Sequence, residues 1–287
     1  MTNFMQRVSL VTGASRGAGM GIAIALGSFG DIVYVTGRSK KEGDSPLPGT
    51  IYATAKAINA AGGRGIPIVC DHSDDKEVED VFDQIRSEQG RLDILVNNAT
   101  HLPDGLTEAS PFWNKSLDQV DILNVGLRSH YVSSYFAAPL LLANGRGLVV
   151  NTSSYGGRIY AHGPAYGSGK AGVDKMAHDM AVDFRPFNIA VISLWLGLLS
   201  TARTNRAMSI RPKQYADIQS SMETPQFSGL VIDALARDPE LMDRSGKVWI
   251  GAELAEFYGI KDINGNQPPS QRSLLGDTTT FGEAIIY

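Results

Sequence analysis

The 287-residue chain predicts an α/β fold, a single domain built on a doubly wound parallel sheet in three layers, α/β/α. Short apolar strand signals alternate with longer helical patterns through most of the sequence, the order that sets parallel strands side by side with helices on both faces. The first strand runs through a glycine-rich turn straight into a helix. The 43% apolar content is enough for one large core, and α/β domains reach about 250 residues as one unit. On this reading residues 1–260 form the body and residues 261–287 a C-terminal tail.

The first strand is 7–11 (RVSLV), followed by Thr12-Gly-Ala-Ser-Arg-Gly-Ala-Gly19 and a helix-compatible run at 20–29. The second strand covers 31–36. Residues 40–50, with two prolines and two glycines, read as a loop that leads into a helix at 51–61. Strands at 64–70 and 91–96 stand on either side of an acidic helical stretch at 74–88. A long helix is expected over 116–142, with Pro139 kinking or ending it. Strands at 147–152 and 189–194 flank a helix at 164–184, and the last strand falls at 247–250. No internal repeat of solenoid spacing interrupts the order. The tail is polar and irregular, and is expected to lie over the body or a neighbouring subunit, with disorder as the competing expectation.

The net charge of −4 and the lack of a basic run argue against nucleic-acid partners and anionic membrane surfaces. No run reaches the roughly 18 apolar residues of a membrane span. The sequence enters its first strand without the charged region and apolar stretch of a targeting segment, so a cytoplasmic protein is expected. The single cysteine, Cys70, lies in an apolar strand and reads as a buried thiol. The five histidines show no ligand spacing with cysteine or carboxylate clusters, so no catalytic metal is expected. His72, His130 and His178 read as surface or helix-packing residues.

Two constellations carry chemistry. In the turn after the first strand the glycines are spaced Gly-x-x-x-Gly-x-Gly. Such a turn lets backbone approach a pyrophosphate, whose charge the exposed N–H groups and positive dipole end of the next helix receive. A tight structural turn is the bland alternative. Further on, Tyr166-Gly-Ser-Gly-Lys170 follows the pair Ser153-Ser154. On a helix, side chains at i and i+4 share a face with Cβ atoms about 5–6 Å apart. A free tyrosine has a pKa of about 10, and lowering it by about 3 units takes about 4 kcal/mol of extra phenolate stabilisation. A fixed ammonium is the simplest source, so the pair reads as an activated acid, or else as an ordinary exposed helix pair.

With Thr12 to Gly19, Asp71, Asn97-Asn98-Ala99, Asn124, Ser154, Tyr166, Lys170 and Gly197 to Thr201 in this order, the chain resembles the short-chain dehydrogenase/reductase family over most of its length. The wording of residues 124–131, 193–195 and 245–248 is similar to the subgroup typified by dehydrogenase/reductase SDR family member 1. The resemblance implies a Rossmann-like catalytic domain that moves hydride between a nicotinamide and a carbonyl or alcohol. It implies Gly13, Ser15, Arg16, Gly17 and Gly19 at the cofactor turn, and Asp71 on the adenine amino group. Asn97, Asn98 and Ala99 fall in the loop that steadies the sheet near the adenine ribose, and Gly197 and Thr201 beside the nicotinamide. Tyr166 becomes the general acid, Lys170 the holder of the ribose and depressor of the tyrosine pKa, Ser154 a hydrogen-bond donor to the substrate oxygen, and Asn124 the support of a proton-relay water. Two departures stand out: Thr100 replaces the family's usual glycine and Leu196 its usual proline, which leaves the geometry of both loops open.

Cofactor choice follows from charge. An acidic residue after the second strand repels a ribose 2′-phosphate, whereas an arginine there welcomes it. The second strand ends Thr36-Gly37-Arg38-Ser39 and Arg16 adds a second cation, so NADP(H) is expected in preference to NAD(H). Two solvated surface arginines are the competing reading. The resemblance further implies a small carbonyl or alcohol substrate and a pocket lined by residues 101–113, 155–162 and 202–226. There Trp113, Tyr155 and Tyr160 suit a bulky apolar body, whereas Arg158 or Arg203 suits a carboxylate. A lyase, epimerase or dehydratase on the same scaffold, or a nucleotide-sensing protein without turnover, are the alternatives. A homo-oligomer, dimer or tetramer, is implied by resemblance.

Overall fold

The computed structural model describes residues 6–210, 212–216 and 219–286. Among them are strands β1 (Val8–Val11), β2 (Ile32–Gly37), β3 (Arg64–Val69), β4 (Ile94–Asn97), β5 (Gly147–Ser153), β6 (Ile189–Trp195) and β7 (Val248–Ile250). All pair in parallel, in the order β3-β2-β1-β4-β5-β6-β7. The helices are α1 (Gly17–Ser28), α2 (Ile51–Ala60), α3 (Asp75–Gln89), α4 (Asp121–Leu123), α5 (Ser129–Asn144), α6 (Pro164–Phe184), α7 (Ala202–Ile210), α8 (Pro212–Tyr215), α9 (Phe227–Arg237), α10 (Leu241–Arg244), α11 (Gly251–Tyr258) and α12 (Arg272–Leu275).

Strand periodicity sorts the core into two layers. Val11, Val33, Val35, Val96, Leu148 and Val150 pack under α1, α2, α9 and α11. Their neighbours in sequence, Leu10, Tyr34, Leu95 and Val149, face α3, α5 and α6. Because successive strand residues point to opposite faces, a strand buried on both sides must be apolar throughout. The strand order reverses between β1 and β4, and the crevice beyond their carboxyl ends is where such sheets bind ligands.

Local chemistry sets the boundaries. The Asp74 side chain accepts the N–H groups of Lys76 and Glu77 to start α3, and Gly90 in left-handed backbone (φ 69°) ends it. Thr50 caps α2 through the Ala53 N–H. β3 lies at the sheet edge and is only partly buried, while Cys70 just beyond it is buried, as expected. Its Gly65 N–H points away from β2 and is taken by Asn59 Oδ1 at 2.8 Å, and Pro67, two residues on, has no N–H.

The single helix expected over 116–142 is broken. A 3₁₀ turn (Leu117–Val120) and α4 lead into a wide turn at Asn124–Arg128, where Val125 (φ −114°, ψ 87°) and Gly126 (φ 148°) leave helical space. The reason is tertiary. A Cβ on Gly126 would lie 2.8 Å from Thr100 Oγ1, and the His101 N–H donates to Val125 O at 2.6 Å, so the helix opens to receive the loop after β4. Pro139 does not end α5, which runs on to Asn144 before Gly145 (φ 69°).

Residues of the tail lie on the body. The Thr224 hydroxyl and N–H donate to buried Asp262, Arg272 pairs with Glu253 and Asp277, and the Phe281 ring lies tilted against His178 with centroids 5.0 Å apart. Phe82, 1% exposed, packs on Phe136 with ring centroids 6.4 Å apart. Phe82→Ala is expected to lower the unfolding free energy by about 3–5 kcal/mol, read as a lower urea midpoint with unchanged slope.

Candidate active site

Thr12 staples the two sides of the crevice. Its N–H donates to Val96 O at 3.0 Å, and its hydroxyl accepts the N–H groups of Asn98 (2.9 Å) and Ala99 (3.0 Å). The Asn98 amide donates back to Thr12 O (2.9 Å) and Gly13 O (3.1 Å). A Cβ on Gly13 (φ 63°) would lie 2.7 Å from Ala99 Cα, and one on Gly19 would lie 2.5 Å from Asn98 Nδ2. The turn therefore needs glycine at both positions. α1 then starts at Gly17, behind an Arg16 N-cap that makes no side-chain cap. Its first-turn donors and positive dipole end are open to an anion at the crevice mouth.

Arg16 is held against the next loop: Nη2 donates to Ser39 Oγ (2.7 Å) and Gly49 O (2.8 Å), and Nε to Pro48 O (3.1 Å). Burial lowers its pKa, Glu42 opposes this, and Arg203 and Arg38 lower it further by repulsion. Three guanidinium groups thus bear on one region. Arg38, 70% exposed in its side chain, reaches Asp71 Oδ2 at 3.4 Å, a surface pair of small energetic weight. Asp71 also accepts from the Ser73 N–H and hydroxyl. Ser15 is buried beneath the turn. The uncapped helix end and glycine cradle fit the diphosphate of a dinucleotide, and the basic cluster lies beside them.

β5 delivers the second half of the site. Beyond it the Ser154 and Tyr166 hydroxyls lie 2.9 Å apart, and the Gly156 N–H donates to Ser154 Oγ at 3.2 Å. A Cβ on Gly156 would come within 2.5 Å of the Tyr166 ring, so this glycine makes room for the phenol. Lys170, one turn along α6, is buried, donates to Thr152 O at 3.0 Å and lies 5.9 Å from the Tyr166 ring centroid. Helical spacing thus brings the pair together, but the expected depression of the tyrosine pKa is absent. Burial pushes the phenol up, against the Ser154 hydrogen bond that pulls it down, and Lys170 spends a donor on a carbonyl. Burial also lowers Lys170 to about 8, with Asp174 opposing. Asp174 is itself fixed by Ser193 Oγ at 2.6 Å and Trp195 Nε1 at 3.0 Å.

Other expectations shift. The Asn124 side chain is exposed and donates to Asp121 Oδ1 at 3.0 Å rather than turning to the lysine. Of the two readings of the histidines, packing rather than surface holds for His72 and for His130 on α5: both are buried, and burial lowers their pKa values to about 4 and about 3. Tyr155 does not line the crevice: it is buried against Trp195 (centroids 4.8 Å apart), with its hydroxyl accepting the Gln271 N–H. Trp113 and Tyr160 are exposed. Arg158 donates to Thr278 O in the tail, and burial lowers the pKa of Arg203 while Asp104 opposes it. A cavity of about 620 Å³ opens beside the site, with Thr107, Glu108, Lys115, Tyr160 and His162 on its walls.

Thr201 accepts the Thr204 N–H at 3.2 Å and so caps α7. Its methyl would lie 3.9 Å from a Cβ on Gly17, which sets it across the crevice from the cofactor turn. Glu223 is the residue that sequence reasoning missed. Its carboxylate accepts the Gly197 N–H (3.2 Å), and its own N–H and C=O bond Leu198 O (2.9 Å) and the Ser200 N–H (2.8 Å). A buried carboxylate therefore restrains the loop that Leu196 leaves without a proline. No spacing signal links residues 26 positions apart in a variable segment.

Burial raises Glu223 to about 7 from an ordinary 4.5. The folded state then holds this proton more tightly than the unfolded one, so its contribution is full below about 4.5 and lost as pH rises to about 7. Across that window wild type is expected to lose on the order of 3 kcal/mol relative to Glu223→Gln, measured by urea unfolding of both at pH 4.5, 6 and 7.5.

Residues 7–211 match the short chain dehydrogenase family. The chain is 40% identical over 274 residues to dehydrogenase/reductase SDR family member 1 of Mus musculus, covering 90% of this chain and 84% of that one. The Homo sapiens protein of the same name is 39% identical over 279 residues, covering 93% and 87%. Among solved structures, a short chain dehydrogenase from Mycobacterium thermoresistibile superposes with a TM-score of 0.76 at 23% identity, covering 92% of both chains. The chain is a member of the short-chain dehydrogenase/reductase family of oxidoreductases, in the subgroup of dehydrogenase/reductase SDR family member 1.

Proposed function

We propose that the protein interconverts a carbonyl compound and its alcohol with NADP(H). The observation that carries this reading is the 2.9 Å contact between the Ser154 and Tyr166 hydroxyls above buried Lys170, at the rim of a glycine-lined crevice. Gly13, Ser15, Gly17 and Gly19 would cradle the diphosphate, and Arg16 and Arg38 the 2′-phosphate. Asp71, Asn98 and Ala99 would meet the adenosine, with Gly197, Thr201 and Lys170 at the nicotinamide riboside. When bound, that nicotinamide supplies the hydride. The phenol of Tyr166, its pKa raised by burial, keeps its proton at neutral pH and so serves as donor to the substrate oxygen. Ser154 donates a second hydrogen bond to that oxygen. Lys170, still largely charged at pH 7, stabilises the phenolate left behind.

The convergence of Arg16, Arg38 and Arg203 supports the phosphorylated cofactor. Cys70, a buried free thiol, is consistent with the reducing cytoplasm. Exposed Tyr131 and Tyr135 on α5 offer a surface for a dimer or tetramer of the chain.

Tyr166→Phe is expected to lower kcat by about 10²- to 10⁴-fold while leaving the Kd for NADPH unchanged, followed by NADPH absorbance with a panel of aldehydes and ketones. Arg38→Ala is expected to weaken NADPH about 10- to 100-fold and NADH hardly at all. Equal weakening of both in a fluorescence titration would remove the phosphate assignment.

A further inference from the structure

Two non-glycine residues among those described adopt left-handed backbone, Asn188 (φ 58°) and His162 (φ 62°). Asparagine tolerates that conformation, and Asn188 closes the turn between α6 and β6. His162 lies instead in the loop between Ser154 and Tyr166. Left-handed backbone is unfavourable for a residue with a Cβ, and persists where the surroundings over-determine it. Here they do so visibly. Lys115 Nζ donates to His162 O (3.1 Å) and to Leu106 O (2.8 Å), so one ammonium joins the loop after β5 to the loop after β4.

A turn that needed only this backbone would be served by glycine, and Gly163 follows immediately. Histidine keeps a ring at the position, and the ring has a definite place. It meets Tyr166 edge to face, with centroids 5.0 Å apart and planes at 76°. The residue is otherwise exposed, and it forms a wall of the 620 Å³ cavity between the same two loops. One side chain thus touches the proposed proton donor and the space beside it.

Resting on the reading of Tyr166 as proton donor, we propose that His162 is a positioning and specificity residue, its imidazole edge holding the phenol in line and its other side bounding the non-reacting part of a carbonyl substrate that occupies the cavity. Lys115 acts through it, by fixing the backbone that projects the ring.

The test separates the ring from the backbone. His162→Gly relieves the left-handed strain and deletes the ring, so its thermal midpoint is expected to equal or exceed that of wild type. Its kcat for NADPH-driven ketone reduction is expected to fall about 10- to 100-fold, as for a misplaced catalytic group, with the Kd for NADPH unchanged. His162→Phe restores an aromatic edge and is expected to recover most of kcat, while changing the ranking of kcat/KM across ketones of increasing bulk. Should the glycine variant fail to fold, His162→Asn, which tolerates the same φ, gives the ring deletion. Wild-type kcat and an unchanged ranking in a folded ring-deletion variant would overturn the proposal, while an inert Tyr166→Phe in the same assay shows the underlying reading intact. Wild-type protein inert toward every ketone and aldehyde would overturn both.

Discussion

The crevice exists because two backbone segments approach more closely than a single methyl group allows. The turn after β1 and the loop after β4 meet at Gly13 and Ala99, and again at Gly19 and Asn98. Four hydrogen bonds hold them there, two between Thr12 and Asn98, one from Asn98 to Gly13 and one from Ala99 to Thr12. Strand order reverses at the same point, so α1 leaves on one side and the chain after β4 on the other. An uncapped helix end, the basic groups after β2 and the hydroxyl pair beyond β5 all take their positions from this junction. A side chain at either glycine would move every one of them.

Electrostatics in the second half of the site are governed by burial more than by pairing. Lys170 is an ammonium with a carbonyl acceptor, a ring above it and no carboxylate in direct contact. Its histidine neighbour His130 stays neutral because burial keeps it so. Asp174, one turn further along α6, balances the charge at a distance while Ser193 and Trp195 of β6 hold it still. The same desolvation that lowers the lysine raises the tyrosine, so the two pKa values are driven apart, with the phenol the weaker acid of the pair.

How much of this was legible in the sequence depends on the range of the interaction. Strand and helix alternation follows from local periodicity, and the parallel sheet with it. Tyr166 and Lys170 share a face because helical spacing requires it, and Asn98 and Thr12 lie at strand ends whose neighbours the topology fixes. The break at Gly126 was not legible, because the demand for glycine comes from Thr100 in a different loop. Glu223 was silent for the same reason. Tyr155 reads as a pocket aromatic only until Trp195 and the tail are in place to bury it. The i, i+4 rule gave the proximity of tyrosine and lysine but not their desolvation, which depends on everything packed around them.

One feature at the far margin of the sheet bears on how copies of the chain can meet. Along β3 the residues that face away from β2 are Gly65, whose N–H is taken by Asn59, Pro67, whose nitrogen carries no hydrogen, and Val69 at the strand's end. At the opposite margin β7 has only three residues. Both rims are therefore poor templates for a further strand, which disfavours end-to-end sheet extension into fibres and favours contact between copies through helices and loops.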